Sequence, residues 1–86
     1  MDIIEQVKGY RDDIIELHKN GGRYGQAQSY LDNIRTLHDS VKNLKRPKAK
    51  SEAAAIWEIL QILQPTIREL ESREMDYRRK QAGMQD

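Results

Sequence analysis

The sequence predicts an all-α fold: an antiparallel three-helix bundle whose long third helix overhangs the other two. Three segments carry apolar residues at alternating spacings of three and four, which keeps those residues on one face of a helix. A Gly-Gly pair and a proline separate the segments, and both are typical of helix ends. When the helices are folded back about these turns, apolar positions meet at every level, so local pattern and global pairing agree.

The first predicted helix covers about residues 2–19. Asp2 and Glu5 resemble a capping box at its start. The Gly21–Gly22 pair ends it, because glycine adopts a left-handed backbone conformation without strain. Its apolar stripe consists of Ile3, Val7, Tyr10, Ile14 and Leu17.

The second predicted helix covers about residues 26–45, and Pro47 disfavours helical geometry at the residue before it. We expect Leu37 to lie at the centre of both helix pairings, against Val7 and Leu60. The apolar stripe consists of Ala27, Tyr30, Leu31, Ile34, Leu37, Val41 and Leu44.

The third predicted helix covers about residues 51–82, with Ser51 as its N-cap. Pro65 lies inside it and removes one backbone hydrogen bond, yet the apolar pattern continues in phase, which favours a kink over a break. Its stripe consists of Ala53, Ile56, Leu60, Leu63, Ile67 and Leu70. A chain of 86 residues with one such pattern is predicted to be a single helical domain, residues 1–86.

The apolar arc of the third helix is wider than a core-facing stripe needs, at roughly 220° against about 100°. One explanation is that this helix lies in the groove between the other two. The other is that Trp57, Ile59 or Ile62 faces another chain, since tryptophan is a frequent interface anchor.

The pairing register also ends near Leu70, so residues 71–86 are expected to overhang the bundle. They form either a solvated helix end or an extension that contacts a partner. In the second case Tyr77 and Met84 would face the contact, with Arg73, Arg78 and Arg79 on its rim. Truncation after Leu70 is then expected to leave the melting temperature of the bundle nearly unchanged.

Catalytic, metal-binding and membrane functions lack support in the sequence. The chain has no cysteine, and it contains no nucleophile or phosphate-loop motif. His18 and His38 lie roughly 18 Å apart in the predicted register, too far to share a metal ion. The longest uncharged stretch, residues 59–67, is too short to span a bilayer. We expect a soluble cytoplasmic protein that is not an enzyme and uses no cofactor, metal or small-molecule substrate.

Positive charge is concentrated in the middle of the chain. The net charge is −2 over residues 1–20, +5 over residues 21–50 and −2 over residues 51–86. Apart from Arg23, the cations of the middle segment are Arg35, Lys42, Lys45, Arg46, Lys48 and Lys50. They form either a solvated turn or a surface that neutralises phosphates.

Two functions are compatible with these features. The first is a small protein–protein interaction module, such as an adaptor, inhibitor or assembly factor. It would form a homodimer through the third helix, as in a coiled coil, or dock on a larger protein. The alternative is a dimeric nucleic-acid-binding protein that uses the basic residues to recognise the backbone or the shape of a duplex.

Overall fold

The computed structural model describes residues 2–83 and contains three helices: α1 (Ile3–Lys19), α2 (Tyr24–Lys42) and α3 (Ala49–Gly83). Each helix packs against both of the others. The predicted all-α three-helix bundle is therefore confirmed. Within the described residues, no helix combines the length and the apolar character needed to cross a membrane.

Two glycines end α1 and turn the chain into α2. The backbone N–H of Gly22 donates to the carbonyl of Leu17 at 2.8 Å, and that of Gly21 donates to the carbonyl of His18 at 3.2 Å. These two bonds, with a φ of 79° at Gly21, make a Schellman motif. A Cβ on Gly22 would lie 2.8 Å from the carbonyl oxygen of Leu17, so this position has no room for a side chain.

The helix boundaries differ from the predicted ones mainly in α2. This helix begins at Tyr24 rather than near residue 26, because the side chain of Gln26 accepts a 3.0 Å hydrogen bond from the backbone N–H of Arg23 and fixes an earlier start. It ends at Lys42 rather than near residue 45. Leu44 consequently leaves the helical stripe and is 47% exposed, so its assignment to the core was wrong.

The third helix is continuous through Pro65 and has 35 residues, against 17 in α1 and 19 in α2. It starts at Ala49, two residues before the predicted N-cap. The described chain measures 58 Å along its longest axis and 22 and 20 Å across it. This shape reflects a long α3 that extends past its neighbours.

The core lies along the line where the three helices meet. Ile34 is fully buried, whereas Leu37 is only half-buried, so the predicted central position of Leu37 was wrong. Because α2 has two neighbours, its buried line is the one through Leu31 and Ile34, and Leu37 lies at its edge together with Tyr30. The buried apolar residues are Val7, Ile14, Ala27, Leu31, Ile34, Val41, Ala49, Ile56, Ile59, Leu60, Leu63, Ile67 and Leu70.

Candidate interaction surfaces

The side of α3 that faces away from the bundle exposes apolar residues between positions 54 and 65. We call this surface the α3 outer face. Ile62 is 76% exposed and Trp57 is 54% exposed. Glu58 is its one charged residue. The exposed residues of the face are Ala54, Trp57, Glu58, Gln61, Ile62 and Pro65.

Trp57 lies at the edge of the outer face that borders α2. Its ring is 6.0 Å from that of His38, centre to centre, and the two planes make an angle of 42°. One side of the indole therefore rests on α2, while more than half of the residue remains in solvent. Because α2 supports the indole, it is held in place as an interface anchor would be.

Ile59, also predicted to face another chain, lies in the core instead. It is 9% exposed and packs within the buried cluster. The reason is that α3 occupies the groove between α1 and α2, so two helices cover most of its wide apolar arc. Trp57 and Ile62 lie at the two borders of the part that remains uncovered.

Arg73 binds the α1–α2 turn rather than lying on the rim of an interface. Its guanidinium donates to the backbone carbonyls of His18 at 2.8 Å and of Gly22 at 3.2 Å. Carbonyls at a helix C-terminus carry partial negative charge, which favours a cation there. One turn earlier on α3, Glu69 pairs with the imidazole of His18.

Glu74 binds the other side of the same turn, at the start of α2. Its carboxylate accepts a 2.8 Å hydrogen bond from the backbone N–H of Gly25. Arg23 is the N-cap residue of α2, but its side chain has only hydrogen-bond donors, so it cannot accept from the first backbone N–H groups of the helix. The guanidinium of Arg23 lies 3.7 Å from Glu74 and covers the ring of Tyr77 at 3.9 Å from its centre, a cation–π contact.

We call the contacts that Arg73 and Glu74 make with the α1–α2 turn the turn clamp. Residues 71–86 were expected to extend past α1 and α2 without contacting them. This was wrong for the part up to Tyr77, because Arg73, Glu74 and Tyr77 contact the α1–α2 turn. The predicted register paired side chains of α3 with those of α2 only as far as Leu70. The loop that joins α1 and α2 contacts α3 about one helical turn beyond that residue. The sequence contains one indication of this contact, the adjacent cation and anion at positions 73 and 74. A cation is favoured at the C-terminus of a helix such as α1, and an anion at the N-terminus of a helix such as α2.

Tyr77, Arg78 and Arg79, also predicted to contact a partner, lie apart from the outer face. Tyr77 is 41% exposed and stands about 22 Å from Ile62 along the helix. The side chain of Arg78 is 78% exposed and lies 3.5 Å from Glu74. Arg79 is exposed, and Met84 falls outside the described residues.

The predicted basic residues are all exposed, and four of them surround a cavity at the α2–α3 turn. We call this cavity the basic cleft; its volume is about 480 Å³. Arg46 forms an ion pair with Glu52 at 2.7 Å. The other two predicted residues do not line the cleft: Arg35 lies elsewhere on α2, 4.0 Å from Asp32, and Lys48 lies outside the lining. The lining residues are Lys42, Leu44, Lys45, Arg46, Pro47, Ala49, Lys50 and Ala53.

Potential metal ligands are dispersed over the molecule. Among residues 2–83, no three His, Cys, Asp or Glu side chains come together as a metal site would require. His18 pairs with Glu69, and Nδ1 of His38 lies 3.4 Å from a carboxylate oxygen of Asp39.

The chain matches no protein-family model, no curated protein and no solved structure. The α3 outer face and the basic cleft are therefore its candidate functional surfaces.

Proposed function

We propose that this protein is a small helical interaction module that self-associates through the α3 outer face and performs no catalysis. The observation that supports this most directly is the exposure of Trp57 and Ile62 on a face with a single charge. Charged residues make up 34% of the chain, so this face is depleted in charge relative to the rest. Exposed aromatic and aliphatic side chains with few charges among them are typical of interface centres.

The size of the chain gives self-association a physical reason. A domain of this length buries only about 60% of the surface that its unfolded chain exposes. Covering Trp57 and Ile62 with a second copy would remove further apolar surface from water, at about 25 cal/mol for each Å². The same surface would serve equally to dock on a larger protein, which is how an adaptor, an inhibitor or an assembly factor acts.

Substitution of Ile62 by serine is expected to raise the dissociation constant of the dimer about tenfold or more, and substitution of Trp57 by alanine is expected to do the same. Truncating an interface anchor costs about 2 kcal/mol or more, and 1.4 kcal/mol is a factor of ten. Sedimentation velocity over a concentration series measures this constant. Both side chains are exposed, so circular dichroism should show an unchanged helix content.

Leu44 provides the matched control. It is 47% exposed and lies between α2 and α3, away from the α3 outer face, so Leu44→Ser should leave the dissociation constant unchanged. A wild-type chain that remains monomeric at its highest soluble concentration would contradict self-association.

The basic cleft supports a second candidate function, the binding of a nucleic-acid backbone. Lys42, Lys45 and Lys50 surround one concavity together with Arg46, which pairs with Glu52, and they would concentrate positive potential there. Phosphates are recognised in this way without reading of the base sequence.

Replacement of Lys42 and Lys45 by alanine is expected to weaken binding to a short RNA or DNA duplex. The slope of the logarithm of the binding constant against the logarithm of the salt concentration should become shallower by about 0.9 for each lost contact on B-DNA, or about 1.8 for the pair. Fluorescence anisotropy at several salt concentrations measures both quantities. Arg35→Ala, away from the cleft, should change neither. If the wild type fails to bind duplexes at low salt, this second function is ruled out.

A further inference from the structure

We infer that the α3 outer face takes a second copy of the chain in an antiparallel orientation, with the twofold axis level with Leu63. This inference rests on the proposed self-association and specifies its geometry. It follows from the positions of the exposed charged residues along α3.

A continuous stripe of exposed residues runs through the middle of the outer face and continues beyond it to position 72. Their spacings alternate between four and three, which is the period of helices that pack along their length. Lys50 and Asp76, both exposed, lie four residues before and four residues after the stripe. The stripe consists of Ala54, Glu58, Gln61, Pro65, Arg68 and Ser72.

The charges along this line alternate in sign: Lys50, Glu58, Arg68 and Asp76. They are also placed symmetrically about position 63. In an antiparallel pair with its axis at that level, Glu58 lies opposite Arg68 of the second copy, and Lys50 lies opposite Asp76. The twofold axis repeats both pairs, so every charge on the line meets its opposite.

The other simple arrangements lose this complementarity. Parallel helices in register place each charge against its own copy, which is repulsive at all four positions. An antiparallel pair shifted by seven residues places Glu58 opposite Gln61 or Met75 instead of an arginine. Such charge patterns select orientation and register more than they contribute affinity.

The same axis places the most exposed apolar side chain at the centre of the interface. Ile62 is one residue from the level of the axis and lies beside the stripe. A twofold axis perpendicular to the two helices keeps equivalent residues on the same side, so the two Ile62 side chains approach each other. Trp57 borders the other side of the stripe. In this arrangement it lies one residue from the level of Arg68 of the second copy.

Thiol cross-linking tests the orientation, because the natural chain has no cysteine. Ile62→Cys and Met75→Cys are each treated with a short bis-maleimide reagent. In the antiparallel dimer the thiols at position 62 are adjacent, whereas those at position 75 are about 36 Å apart along the helices. We expect cross-linked dimer from the first variant alone. Cross-linking of both variants would show a parallel pair and overturn the inference.

Charge reversal tests the register in the chain without cysteine. Glu58→Arg and Arg68→Glu are each expected to raise the dissociation constant about tenfold or more, because each creates two like-charge pairs. The double variant should restore it. Asp13→Lys, on the exposed side of α1, is the control and should have no effect.

The outcomes separate the geometry from the function. A wild-type dimer without rescue in the double variant would overturn the antiparallel register and leave self-association standing. A wild-type chain that stays monomeric in these measurements would overturn both.

Discussion

Replacement of Ile34 by alanine is expected to lower the free energy of unfolding by about 2–5 kcal/mol. Ile34 is fully buried on the line of α2 that faces both neighbouring helices. Removal of three carbon atoms there leaves a cavity that rigid helices on two sides cannot close. Domains of this size have a total stability of about 4–13 kcal/mol, so the loss is a large fraction of the whole.

Urea denaturation followed by circular dichroism measures this loss. Leu37→Ala is the matched control, because it removes the same number of carbon atoms three residues away on the same helix. Leu37 is half-buried, so its truncation should cost less than half as much. Equal costs at the two positions would mean that the core is centred between them rather than on Ile34.

The difference between Ile34 and Leu37 shows what the apolar pattern can and cannot determine. The spacing of three and four identifies a helix and the side that it buries, and it predicted all three helices. It does not determine how many neighbours share that side. A helix with one neighbour would centre on the stripe through Leu37, whereas α2 has two and centres on the line through Leu31 and Ile34.

The same limit applies to the outer face of α3. The sequence identified an apolar arc too wide for one contact, and it named Trp57, Ile59 and Ile62 as residues that another chain could cover. Which of them remains exposed depends on where α1 and α2 lie against α3, and this is tertiary information. The structure buries Ile59 and exposes Trp57 and Ile62.

The turn clamp could not be predicted from the apolar side-chain pattern, for a different reason. Its partners are the carbonyls of His18 and Gly22 and the backbone N–H of Gly25. Every residue carries such groups, so no periodicity in the sequence marks them. They become visible only through helix ends, whose unpaired backbone groups need partners from elsewhere.

Truncation after Leu70 is consequently expected to destabilise the monomeric bundle by about 2–4 kcal/mol, whereas truncation after Arg78 should cost about 0.5 kcal/mol or less. The shorter chain loses Arg73, which binds the carbonyls of His18 and Gly22, and Glu74, which binds the backbone N–H of Gly25. Hydrogen bonds to charged groups contribute about 1.5–3 kcal/mol each when buried, and partial exposure lowers the sum here.

Thermal and urea unfolding of both truncated chains measure these losses in stability. The protein concentrations must be low enough that self-association does not contribute. Arg73→Ala in the full chain isolates the larger part of the effect, since this one guanidinium holds two carbonyls that otherwise depend on water. It should reproduce at least half of the loss seen on truncation after Leu70. Equal melting temperatures for the two truncated chains would mean that the turn is stable without the clamp. The Schellman motif at Gly21 and Gly22 would then suffice to hold α1 and α2 together.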